Sequence, residues 1–180
     1  MILLSAGHHP LAKGATYNQH NEYDEAVLWV DEIANLIRVL FPVAIVPTGK
    51  VSAKVEWINS QPKATIACEI HFNSDASKRQ KGSETLYCPG SLIGEAAAGI
   101  IQAALGGLFP PNRGVKEGWY QGDKKNGPIG YLKTTKCPAI ILEPEFIYNI
   151  GVIQDRRHPA CAAIAEALVF AAQNIIGETK

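Results

Sequence analysis

The chain lacks an excess of charge of either sign. Its 17 lysines and arginines are matched by 17 aspartates and glutamates over 180 residues, for a formal net charge of zero. A nucleic-acid or anionic-membrane partner calls for a basic stripe, and none is written here, so the substrate need not be a polyanion. Cysteine is scarce: Cys68, Cys88, Cys137 and Cys161 stand far apart with no C-x-x-C pair. That spacing excludes a zinc knuckle and a disulfide framework, and leaves ordinary thiols of a reducing compartment. No apolar run approaches the roughly 20 residues a membrane-spanning helix needs, so membrane insertion is not expected. The first seven residues, Met1 to Gly7, have no basic n-region and too short an apolar stretch for a signal peptide. They read as a strand of the fold, which predicts synthesis in the cytoplasm without an export signal. A Gly-x-Ser-x-Gly elbow and a Walker loop are also missing, leaving serine hydrolysis and phosphate cradling without support.

What is present alternates. Ile2–Ala6 is a buried strand closed by Gly7, and residues 10–21 read as a loop. From Glu22 the apolar residues Ala26, Trp29, Val30, Ile33, Leu36, Ile37 and Leu40 recur three and four apart, one face of a helix that Asn21 caps. Val43–Val46 predicts a strand, 52–60 a helix, 64–73 a strand, 83–87 a strand and 91–105 a helix. The glycine-rich stretch 106–137 reads as long loops with one strand near 129–132. A strand from Ala139 and a helix over 159–176 close the chain. Strands alternating with helices predict an α/β single domain over 1–180. Its mostly parallel or mixed twisted sheet should have about five to six strands, flanked by helices on both faces. In such folds ligands gather at the carboxyl ends of strands.

Chemistry-bearing residues fall at such ends. His8 and His9 follow the first strand, Glu22 and Glu25 open the first helix, and His71 closes the 64–73 strand. Two imidazoles and a carboxylate leave a tetrahedral zinc one open position for water, which metal-assisted hydrolysis requires. Taken singly, a histidine beside glycine and proline is a turn residue, and a glutamate in a first helical turn is a charge favouring the dipole. His71 is harder to dismiss, because a buried imidazole needs partners for both nitrogens. Glu143, directly after Ala-Ile-Ile-Leu, carries a large desolvation penalty unless a cation compensates it. Glu145, two residues on, is expected on the same face. Glu69, on the strand face of His71, reads as a rim charge, with orientation of a ligand as the alternative. Asn73, Arg113 and Glu145 are candidate substrate contacts, and Trp119 with Tyr120 a candidate sugar-stacking wall.

In this order, Gly7-His8, Asn21-Glu22-Tyr23, Glu69-Ile-His71-Phe-Asn73, Gly82-Ser-Glu-Thr-Leu-Tyr87, Asn112-Arg-Gly-Val-Lys116 and Pro138-Ala-Ile-Ile-Leu-Glu143 resemble the catalytic domain of zinc-dependent N-acetylmuramoyl-L-alanine amidases, particularly those of phage endolysins. The resemblance implies one zinc ion held by His8, Glu22 and His71, with Glu143 as catalytic carboxylate. The implied reaction is hydrolysis of the amide between the lactyl group of N-acetylmuramic acid and L-alanine of the peptidoglycan stem. It also implies holin-dependent release to the cell wall. His9 stands where the family commonly has glycine, so His8 and His9 both remain candidates, as do Glu22 and Glu25. No separate cell-wall-binding module is expected within the 180 residues. The competing readings are a zinc peptidase cutting within the stem peptide and a non-catalytic peptidoglycan-binding module.

Overall fold

The computed structural model describes residues 1–178, with side chains described through residue 174. β1 (Ile2–Ala6) is followed by a small hairpin, β2 (Thr16–Tyr17) and β3 (His20–Asn21), and then by α1 (Glu22–Ile37), β4 (Val43–Ile45) and α2 (Val51–Asn59). The chain continues through β5 (Ile66–Ile70), β6 (Ser83–Tyr87), α3 (Leu92–Gly106), β7 (Asn112–Glu117), α4 (Gly130–Thr134), β8 (Ala139–Glu143) and α5 (Ile150–Glu178). Six strands form one sheet in the order β4-β1-β5-β8-β6-β7. The first four run parallel, β6 is antiparallel to β8, and β7 is parallel to β6. The α/β domain with a mixed, mostly parallel sheet is therefore observed as expected.

Alternation along the strands sorts the core into two layers. Ile2, Leu4, Ile66, Cys68, Ile70, Phe72, Ile140 and Leu142 pack beneath α1, α3 and α5. Leu3, Ala67, Ala139 and Ile141 pack on the other face, against Val55 and Ile58 of α2 and Tyr131 and Leu132 of α4. Burial on both faces is why the central strands are written as continuous apolar runs. Trp29 anchors the first layer, fully buried with its ring 5.5 Å from Phe72 and 6.0 Å from Phe109.

Three expectations are corrected. The strand near 129–132 is the helix α4, because Tyr131 and Leu132 are adjacent and both buried in the same layer, whereas a strand would send them to opposite faces. The stretch 106–137 holds a real strand, β7, at the sheet edge. Its polar residues carry no apolar run to announce it. The last helix starts at Ile150 and runs through Pro159. Proline is favoured in a first turn, but burying Ile153 and Ala160 against the core prevails here.

Candidate active site and metal centre

β1, β5 and β8 are adjacent and parallel, so their carboxyl ends meet at one edge of the sheet. β1 leads through Gly7 to His8, β5 leads to His71, and β8 ends on Glu143. The ladder continues into the site: the Gly7 amide donates to the Ile70 carbonyl at 2.7 Å and the His71 amide to the Leu142 carbonyl at 2.8 Å. Glu22 arrives from α1. Asn21, extended at φ −142°, accepts from the Asp24 amide at 2.9 Å and so sets where that helix begins.

Glu22 Oε2 lies 3.0 Å from His8 Nε2 and 3.4 Å from His71 Nδ1. One ligand atom from each of His8, Glu22 and His71 falls within 4.8 Å of the others. The two rings meet edge to face at 4.9 Å, and Glu22 Oε1 is held by the Ala15 amide at 2.7 Å. Two glycines make the close approach feasible. A Cβ on Gly7 would lie 2.6 Å from the His71 ring, and one on Gly14 would lie 2.5 Å from the His8 ring and 2.9 Å from Glu22 Oε1. His8 itself sits at φ 62°, a left-handed conformation that a non-glycine residue adopts at a cost.

The electrostatics are those of a cation site. Burial works to raise the Glu22 carboxyl, but hydrogen bonds to His71 and then His8 outweigh it and bring it down to about 2. Burial works to lower the His71 imidazolium, yet Glu22, Glu69 and the charge of Glu143 reverse this and raise it to about 10. Glu143 goes the other way. Burial first, opposed by His71 and reinforced by Glu22, Glu84 and Glu69, pushes its carboxyl up to about 8. Its Oε2 is buried with no hydrogen-bond partner among the described residues.

The residues present fit a divalent metal. Two imidazoles and a carboxylate are a borderline-soft donor set suited to zinc, the glycine cradle admits no added Cβ, and the orphaned Glu143 oxygen lies at the same edge.

Glu143 lines two cavities, as do Leu86 and Gln121. One of about 530 Å³ is lined by His8, His71, Leu86, Tyr120, Tyr131 and Ile141. The other, about 610 Å³, is lined by Asn73, Glu84, Lys116, Trp119 and Gln121. The structure thus brings His8, Glu22, His71 and Glu143 together, with Asn73 nearby. His9 lines the first cavity outside the three-residue group, and Glu25 pairs with His20 at 3.0 Å. Arg113 lines neither cavity; its Nε donates to Glu84 at 2.8 Å, and its guanidinium stands 5.1 Å from the Phe146 ring. Glu145 is 3% exposed, and its Oε1 accepts from the amides of Gly82 and Phe146 and from Asn149 Nδ2. Trp119 and Tyr120 fall in different cavities.

Glu69 is not at a rim: it is 2% exposed and contacts both His71 and Lys54. Sequence reasoning missed Lys54, although a lysine in register with Val55 and Ile58 on the apolar stripe of α2 is a readable sign of buried charge. It missed Gly14 because no local pattern ties that glycine to His8.

An α/β domain with an imidazole, carboxylate, imidazole set at its strand ends and a desolvated carboxylate beside it has the constellation of a metal-assisted hydrolase. The family profile Amidase_3, N-acetylmuramoyl-L-alanine amidase, matches residues 2–172. The chain belongs to this family of peptidoglycan amidases.

Among solved structures it is similar to the catalytic domain of the CD27L endolysin targeting Clostridia difficile. That match has 25% identity, 94% of this chain and 96% of that one covered, and a TM-score of 0.75. It shares its fold with the catalytic domain of the amidase CwlV from Bacillus (Paenibacillus) polymyxa var. colistinus, at 17% identity and TM-score 0.80 over 94% and 96% of the two chains. It also shares it with the amidase AmiC2 of Nostoc punctiforme, at 18% identity and TM-score 0.79 over 96% and 97%. Comparison with curated proteins gave no match.

Proposed function

We propose that the chain is a zinc-dependent N-acetylmuramoyl-L-alanine amidase of the endolysin kind. It hydrolyses the amide between the lactyl carbonyl of N-acetylmuramic acid and the amino group of L-alanine in the peptidoglycan stem. The observation that carries this reading is the convergence of His8, Glu22 and His71 within 4.8 Å beside a carboxylate with an unpartnered oxygen. His8, Glu22 and His71 would hold one zinc ion. When bound, it supplies Lewis acidity, lowering the pKa of water from about 15.7 toward roughly 7 and polarising the scissile carbonyl.

The chain's own residues do the proton work. Glu143, whose ionised form a bound cation would favour, takes the proton of the attacking water and passes it to the departing L-alanine nitrogen. One water enters and the amide C–N bond breaks, giving the lactyl carboxylic acid and a free amine. Asn73, on the second cavity, is a substrate contact in this reading. Arg113 and Glu145 shape the cleft at one remove, Arg113 through Glu84 and Glu145 through the amides of residues 82 and 146. A desolvated carboxylate at the donor set is costly without chemical use, which favours an enzyme over a pure binding module. A lytic setting is in keeping with the likeness to an endolysin catalytic domain, and release through a holin pore is part of this proposal rather than of that likeness.

Purified sacculi treated with the protein should lose turbidity and release stem peptides whose new amino terminus is L-alanine, read by mass analysis. A chelator should stop the reaction and added zinc restore it. New termini inside the stem peptide would make it a peptidase, and binding without cleavage would make it a wall-binding module.

A further inference from the structure

Lys54 is 2% exposed, on a helix whose other charged residue, Glu56, faces solvent. Its ammonium donates to Glu69 Oε1 at 2.7 Å and to the Ala6 carbonyl. Ser5 Oγ adds a 3.4 Å contact to the same carboxylate oxygen. Glu69 Oε2 lies 3.2 Å from His71 Nε2, while His71 Nδ1 faces Glu22. One buried cation therefore grips the backbone immediately before Gly7-His8 and, through one carboxylate, the ring of His71. A buried ion pair is commonly no more stabilising than apolar residues of the same volume, so stability alone does not account for it. What it does supply is a fixed acceptor on the far side of an imidazole, which selects the tautomer and aims the other nitrogen.

Resting on the reading that His8, Glu22 and His71 hold zinc, we propose that Glu69 and Lys54 are positioning residues for the metal centre. The Glu69 carboxylate accepts a hydrogen bond from Nε2–H, so that His71 keeps its proton on Nε2 and presents Nδ1 as its ligand atom. Lys54 holds Glu69 in place and pins the β1 carbonyl from which His8 departs.

The test is zinc affinity by chelator competition, together with nitrogen-15 spectra of the histidine rings in the zinc-loaded protein. Wild type should show His71 protonated at Nε2 with Nδ1 bound. Glu69→Ala and Lys54→Met should each weaken zinc binding about 10- to 100-fold, and Glu69→Ala should abolish the single-tautomer signature. Because each single change strands a buried charge, the double variant Lys54→Met with Glu69→Leu removes both charges and keeps the interior apolar. It should fold and still bind zinc about 10- to 100-fold more weakly than wild type. Wild-type affinity and an unchanged His71 signature in the double variant would overturn the positioning roles while leaving the zinc reading intact. A wild-type chain that binds no zinc would overturn both.

Discussion

At the scale of single residues the site works by contrast. His71 and Glu22 are pulled toward their charged forms, while Glu143 is pushed toward its neutral one. Glu143→Gln keeps the shape and removes the proton acceptor. It should retain about one zinc per chain while turnover on sacculi falls on the order of 10²- to 10⁴-fold; wild-type turnover would remove Glu143 from its role. Gly14→Ala places a methyl against the His8 ring and Glu22 on a backbone at φ 77°, so zinc affinity in chelator competition should fall about tenfold or more.

The oddity of Glu143 is legible in the sequence, because a carboxylate after four apolar residues of a central strand has to be desolvated. The importance of Gly14 is not, since it depends on a histidine and a glutamate from other segments closing over it. Glu69 misleads for the same reason: nothing nearby in the chain reveals that Lys54 covers it.

At the scale of elements, the antiparallel strand β6 lays Glu84 opposite Glu143 and reaches across to β7. Burial works to raise the Glu84 carboxyl, but hydrogen bonds from Lys116, Arg113 and Asn73 prevail and hold it below its ordinary 4.5. A carboxylate depressed in the folded state adds stability above its unfolded pKa and loses it as pH falls through the folded one. Glu84→Gln should therefore unfold at lower urea than wild type at pH 7, with the gap closing as pH drops below about 4.5. A gap that stays constant down to strong acid would show that the carboxylate charge does not hold β6 to β7.

Neither β7 nor α4 was readable as such. β7 is an edge strand of polar residues with no apolar alternation, and α4 is one turn whose two buried side chains suit a helix only when the sheet face it covers is known. The central strands and α1 were readable, because there local periodicity and burial agree.

At the scale of the whole molecule, the three candidate ligands come from the end of β1, the start of α1 and the end of β5, so a bound ion would cross-link three separate pieces of chain. Free zinc at 100 times its dissociation constant should stabilise the folded state by about 2.7 kcal/mol. That raises Tm by roughly 5–10 °C for a domain of this size. His71→Ala should abolish the zinc-dependent rise in a thermal melt and the lytic activity with it. A variant that kept the full rise would reject His71 as a ligand.

The order of apolar runs and breaks along the chain determined by itself the alternating architecture and the delivery of histidines and glutamates to strand ends. Both follow from short-range periodicity and from the need to bury apolar surface. Only the tertiary structure decided that His8 rather than His9 lies with Glu22 and His71, that Glu25 turns to His20, and that Lys54 and Glu69 stand behind the His71 ring. Those choices are made by distances between residues remote in sequence, set by how α1 and α2 dock on opposite faces of one sheet, and no local pattern encodes them.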